Sequence, residues 1–210
     1  MNKKNYLLDL NNSKKPFIIY KSDKGFDLYT DFSKKIILNN NNIEKFINKN
    51  NRLRFPHKET DLFIGFFGYE ILNNLIDVKI KKQKTINFPK GIFYKPETKI
   101  KLPNNLEYKK TRSLKSNDLF KININKKSYK VIFDKFKKKI KSGETYQIKI
   151  CTKYSNKSEI DALDFFSRLV KSNMAPEAFM IKDKNYSIIS CSPENLITKK
   201  NNFITTKPIA

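Results

Sequence analysis

The clearest hydrophobic pattern lies after residue 128. Tyr129, Phe133, Phe136 and Ile140 fall at helical spacing and share one face, with Lys137, Lys138 and Lys139 on the solvated side. Gly143 stands where a helix C-terminal cap belongs. The period then changes to two. Tyr146, Ile148 and Ile150 alternate with Gln147 and Lys149, which predicts a strand. Ser158 and Asp161 have the spacing of a capping box in its weaker Asp form, and the helix they open turns Leu163, Phe166 and Leu169 inward. A meander of four short strands is expected next, over 178–181, 186–191, 195–198 and 203–210, with turns at 183–185 and 200–202. Connections this short imply antiparallel pairing.

The earlier part of the chain is less regular. Residues 17–20 form an apolar run, 23–25 carry a turn signal, and an aromatic-rich stretch to Phe32 reads as a second strand. Ile43, Phe46 and Ile47 give one apolar face to a short helix over 42–50. Residues 62–67 suit a buried strand, with a short helical stretch following to Leu75. Residues 79–127 are lysine-rich and broken by Pro89, Pro96 and Pro103, so an irregular connection with isolated strands is expected, 92–94 among them. The domain boundary falls within 104–127, dividing the chain into 1–120 and 121–210. Helices packed on antiparallel sheets make the fold class α+β. The last strand runs into Ile209 and Ala210 with no cap or polar tail, which points to a truncated domain.

Composition supports a folded chain. Seventeen Phe and ten Tyr among 210 residues can fill a core. The two cysteines, Cys151 and Cys191, form no framework; they read as small buried packing residues in a reducing, cytoplasmic protein. No apolar stretch reaches the length a bilayer span needs, and no signal-peptide core follows the N-terminal lysines. The net charge of +24 raises the possibility of a basic nucleic-acid-binding module. Against it, only Arg52, Arg54, Arg112 and Arg168 are arginines among the 44 basic residues. The excess is lysine, alongside abundant Asn and Ile, and Arg supplies the bidentate contacts of most nucleic-acid readers. A composition bias explains the charge better, though it still favours anionic ligands.

Chemistry-bearing residues are few. The single histidine, His57, lies in a polar stretch and reads as an exposed loop residue. No phosphate-binding glycine loop is present. Asp161 and Asp164 share a helix face, but first-turn charges favouring the helix dipole account for them better than a metal site. Ser192-Pro193-Glu194 places a carboxylate just after a proline between two strands, where it is either held in a cavity or exposed on a turn.

Five motifs in order then resemble one family. Gly65-Phe66-Phe67-Gly68-Tyr69-Glu70 is similar to a G-Y-x-G-Y-[ED] element. Residues 140–148 are similar to I-x-x-G-[DE]-x-[YF]-Q-[VI], and 173–176 stand where N-P-x-P belongs. Ser192-Pro193-Glu194 matches S-P-E, and Thr205 to Ala210 match the start of T-x-R-P-I-A-G-T. Together they resemble anthranilate synthase component I and aminodeoxychorismate synthase component I, the chorismate-utilising enzymes.

The resemblance implies the first part of that family's fold, with an N-terminal region over 1–120 and the start of the chorismate-binding catalytic domain over 121–210. It implies a carbon–oxygen lyase acting on chorismate with Mg2+. Ammonia comes from a glutamine amidotransferase subunit, and the anthranilate branch releases pyruvate, in tryptophan biosynthesis. Glu194 corresponds to the active-site glutamate, with Thr206 and Ala210 also at the substrate. Ala210 stands where aminodeoxychorismate synthases, which serve folate biosynthesis, carry a nucleophilic lysine; alanine cannot attack the ring. That favours anthranilate synthase, with aminodeoxychorismate synthase as the alternative. Lys207 replaces an arginine. Ser22, Asn173 and Pro176 correspond to the tryptophan-inhibitor site, but Lys21 stands where its glutamate belongs, which argues against feedback. Metal ligands and a catalytic histidine have no counterpart among these residues. The chain alone is therefore expected to be inactive, with a purely docking role toward the amidotransferase as a further possibility.

Overall fold

A computed structural model describes residues 3–22, 25–50, 58–76, 88–106, 108, 119–158, 160–200 and 202–207. They fall in two compact units, Met1–Lys109 with Ala162–Ala210, and Lys110–Asp161.

The first unit begins with α1 (Lys3–Asn12), β1 (Phe17–Ser22), β2 (Gly25–Ile37) and α2 (Ile43–Asn50). Then come β3 (Ile64–Phe67), a 3-10 turn (Tyr69–Ile71), α3 (Leu72–Leu75) and β4 (Gly91–Leu102). The second unit holds β5 (Lys121–Ile122), α4 (Lys126–Lys141) and β6 (Tyr154–Ser155). The chain returns to the first unit as α5 (Ala162–Asn173), β7 (Glu177–Lys182), β8 (Ser187–Ser192), β9 (Thr198–Lys200) and β10 (Phe203–Thr205). Helices and antiparallel strands together make this an α+β fold.

Its centre is a six-stranded sheet in the order β3-β4-β2-β1-β7-β8, with every pair antiparallel. β1 lies inside it, so Phe17, Ile18 and Ile19 are all buried and the strand reads as a continuous apolar run. Phe17 and Ile19 face Leu7 and Leu10 of α1 and Leu163 and Phe166 of α5. Ile18 packs instead with Tyr29, Ile92, Tyr94 and Ile181. α2 buries Ile43 with Leu38, Ile71 and Phe93, and its Phe46 and Ile47 pack alongside.

The irregular connection expected over 79–127 contains a twelve-residue strand, β4, where only 92–94 were foreseen. Pro96 lies inside it without breaking it because the β2–β4 register shifts there, between Phe32 and Lys34. A residue with no N–H is tolerated where a bulge interrupts the ladder. Asp31, at φ 52°, breaks the two-residue alternation, so Tyr29 and Phe32 pack in one cluster although three residues apart. β3 is an edge strand rather than a buried one, and Phe67 at its end is 51% exposed. The expected four-strand meander divides. β7 and β8 join the large sheet, while β9 and β10 form a separate hairpin. β1 pairs with both β2 and β7, so the sheet draws on chain from both sides of the 104–127 stretch.

In the second unit α4 ends in a Schellman motif. Glu144 N–H donates to Lys139 C=O at 3.0 Å and Gly143 N–H to Ile140 C=O at 3.1 Å, with Gly143 at φ 76°. Its apolar face is largely uncovered by the described residues: Tyr129, Phe133 and Ile140 are each more than 40% exposed, and Phe136 is half-buried. The strand expected at 146–150 does not form, and Tyr146 is 91% exposed. Alternation suits a pleat but supplies no pairing partner. α5 starts at Ala162, so Ser158 lies outside it and bonds Asn156 Oδ1 instead. Cys151 is exposed, against the buried packing role expected of it.

Candidate functional site

Two expected groups of residues can be followed through the first unit. β8 ends at Ser192, and Pro193 fixes the backbone of the next residue. Ser192 Oγ donates to Glu194 C=O at 2.7 Å and accepts the Glu194 N–H at 3.4 Å, closing a tight turn. Glu194 is exposed on that turn rather than sunk in a cavity. The hairpin that follows brings Thr206 back to the chain just after the turn: Thr206 Oγ1 donates to Leu196 C=O at 2.8 Å. Lys207 is exposed next to Thr206. Ala210 and His57 lie outside the described residues.

The second group meets at the ends of β1 and β7. Ser22 is the last residue of β1, paired with Gly25. Asn173 ends α5, Met174 turns the chain at φ 45°, and Pro176 precedes β7 on the surface. Lys21 Nζ bonds the Ala175 carbonyl, tying the end of β1 to this loop. One residue earlier, Tyr20 Oη donates to Glu177 Oε2 at 2.6 Å, and Asn195 Nδ2 donates to the other oxygen, Oε1, at 3.1 Å. Glu177 thus joins β1 to the Ser192–Glu194 turn and links the two groups. Hydrogen bonds to a carboxylate contribute about 1.5–3 kcal/mol each, so the turn is anchored. Cys191 sits beside Lys21; burial raises its thiol pKa, with Lys21 opposing, which leaves it a poor nucleophile. The Tyr20–Glu177–Asn195 set was not foreseen. Tyr20 and Glu177 lie 157 residues apart and Glu177 and Asn195 18 apart, and no sequence period connects them.

A further polar cluster holds the opposite end of β7. Asp183 receives Lys35 Nζ and Tyr94 Oη, and Tyr186 Oη at 3.2 Å. Burial alone would raise the Asp183 pKa. The hydrogen bonds from Lys35, Tyr94 and the Lys184 amide outweigh it and hold the group at about 2. Burial and the neighbouring Asp183 push Tyr186 up to about 12, and Tyr94 higher still. The cluster is a structural clasp between β2, β4 and the β7–β8 turn.

Among the described residues no three His, Cys, Asp or Glu side chains converge as a metal site. A hard cation such as Mg2+ needs several carboxylate or carbonyl oxygens, so the described residues do not fit one. No helix among them is long and apolar enough to cross a membrane.

Comparison with known proteins adds the wider setting. The model of the chorismate binding enzyme family matches residues 3–210. The chain is 28% identical over 193 residues to anthranilate synthase component 1 of Buchnera aphidicola subsp. Pemphigus spyrothecae, covering 89% of this chain and 34% of that protein. It is 22% identical over 173 residues to an anthranilate synthase component I-like protein of Synechocystis, covering 70% of this chain and 36% of that protein. It is 34% identical over 68 residues to aminodeoxychorismate synthase component 1 of Salmonella typhimurium, covering 32% of this chain and 15% of that protein. The chain therefore spans about a third of the relatives that it matches along most of its own length.

Proposed function

The chain belongs to the family of chorismate binding enzymes, and from that premise we propose that it is the front part of an anthranilate synthase component 1. In this reading the whole enzyme converts chorismate and ammonia to anthranilate and pyruvate, with ammonia delivered by a glutamine amidotransferase. The observation that carries it is the similarity to the Buchnera protein, which runs along most of this chain. Ala210 supports the same branch, because a methyl group cannot open a covalent route through the ring. Ammonia then adds directly, and no chorismate adduct forms on the chain.

Glu194 is the acid–base group of the proposed site, on a turn held by Ser192 and braced through Asn195 to Glu177. Thr206 Oγ1 spends its one proton on Leu196 C=O, so its lone pairs remain to accept from a substrate hydroxyl. Mg2+ belongs to the reading through the family resemblance, with ligands outside the described residues. Because the resemblance finds no counterpart in this sequence for the family's metal ligands and catalytic histidine, the 210 residues alone are proposed to turn over no chorismate.

The test is Glu194→Gln in the full gene product. Loss of a general acid–base group lowers kcat by about 10²–10⁴-fold. Unchanged kcat would remove Glu194 from the chemistry. A second reading, aminodeoxychorismate synthase component 1, is favoured by the Salmonella similarity, higher in identity but shorter. It predicts 4-amino-4-deoxychorismate as the product and no pyruvate.

A further inference from the structure

Away from the Glu194 turn, the first unit carries a cleft of about 570 Å³, lined by Lys34, Ile36, Asn42, Lys45, Phe46, Lys49, Phe63 and Lys95. Its size is that of a small-ligand site. The floor is apolar. Phe46 and Phe63 meet edge to face with ring centroids 5.5 Å apart, and Phe46 also packs on Phe93 at 4.8 Å.

The rim is cationic in an unfavourable way. The register shift in β2 sets Lys34 directly opposite Lys95 on β4. Like charges facing each other across a strand pair are destabilising. Lys45 and Lys49 stand four residues apart on α2, the like-charge spacing that destabilises a helix. Among the described residues no carboxylate lines the cleft, and none of these four ammonium groups has an ion-pair partner there. Elsewhere in the first unit Lys35 pairs with Asp183, and Lys99 and Lys101 share Asp27. The bias toward lysine explains why the chain is basic. The spacing of Lys45 and Lys49 recurs on α4 at Lys137 and Lys141, so what sets this place apart is that four lysines line one cleft over an aromatic floor.

We propose that this cleft binds a small aromatic dianion, its ring on Phe46 and Phe63 and its charged group between the Lys34–Lys95 and Lys45–Lys49 pairs. Binding relieves both repulsions at once. The site shares no residue with the Glu194–Thr206 region, and its test needs no turnover, so its outcome is independent of the proposed function.

Phenyl phosphate is the probe, titrated into the 15N-labelled chain. The expected result is saturable shifts at the amides around Lys34, Lys45, Phe63 and Lys95. Neutral benzamide and inorganic phosphate each bind at least tenfold more weakly, since each lacks half of the recognised chemistry. The double variant Lys34→Gln, Lys45→Gln removes one member of each pair. It is expected to bind phenyl phosphate at least tenfold more weakly while its ligand-free Tm at low salt rises by roughly 1–4 °C. Lys45→Glu alone serves as a second variant and also loses binding. The proposal is overturned if shifts spread over lysines throughout the chain, if inorganic phosphate matches phenyl phosphate, if the variants bind as the parent does, or if binding falls with no gain in Tm.

Discussion

Asp183 concentrates more of the fold's polar organisation than any other carboxylate described. Its oxygens collect Lys35, Tyr94, Tyr186 and the Lys184 amide, and the group is held at about 2 against an unfolded value near 3.8. A depressed carboxylate contributes stability that is present above the unfolded pKa and lost as pH falls through the folded one. Acid unfolding should therefore draw on Asp183 between about pH 4 and pH 2. Asp183→Asn should cost about 2 kcal/mol at pH 7 and much less at pH 2, read by urea denaturation at both. An equal loss at both pH values would contradict the account. Tyr186 works in the other direction: raised to about 12, it keeps its contribution up to about pH 10 and loses it as pH climbs toward 12. None of this was legible beforehand, because Lys35, Tyr94 and Asp183 meet only once β2, β4 and β7 are aligned. Glu194, by contrast, was singled out by its Ser-Pro-Glu setting, and the open question of cavity or turn resolves to an exposed turn.

At the scale of elements, the buried faces of α2 and α5 were readable, whereas strand partners were not. The stripe Ile43, Phe46, Ile47 became the core-facing side of α2, and Leu163 and Phe166 the buried side of α5. A helix makes its own hydrogen bonds, so its pattern is local. A strand needs a partner, and the 146–150 alternation found none. β4 was underestimated because Pro96 normally breaks a strand; a bulge in the neighbouring β2, with Asp31 in the left-handed region, absorbed it. Gly65 offers the sharpest test at this scale. A Cβ there would sit 1.9 Å from the Ile92 carbonyl oxygen, so Gly65→Ala must push β3 off β4. We expect a loss of about 1–3 kcal/mol and faster amide exchange across 64–67, with β1 and β7 still protected. Unchanged exchange at 64–67 would show that the edge strand accommodates the methyl group. The same glycine opens the motif resembling G-Y-x-G-Y-[ED], so close backbone approach is a physical reason for a glycine at that place.

For the whole molecule, the family was readable from five short motifs in order, and the match over residues 3–210 shows it. What the motifs did not reveal is that β7 and β8 complete the sheet started by β1 and β2, with the second unit between them in sequence. That closure is what brings Tyr20 to Glu177, while the β7–β8 hairpin itself sets Asn195 on the same carboxylate and braces the turn bearing Glu194. The charge of +24 did not decide function; it acts here through local arrangements, clasping Asp183 and Asp27 in two places and left uncompensated around one cleft. The measurement that tests the central claim most directly is the product formed when the full gene product receives chorismate, ammonium and magnesium. The account predicts anthranilate fluorescence with one pyruvate released per anthranilate, and an unmodified protein mass afterwards. Accumulation of 4-amino-4-deoxychorismate without pyruvate, or a covalent chorismate adduct on the chain, would contradict it.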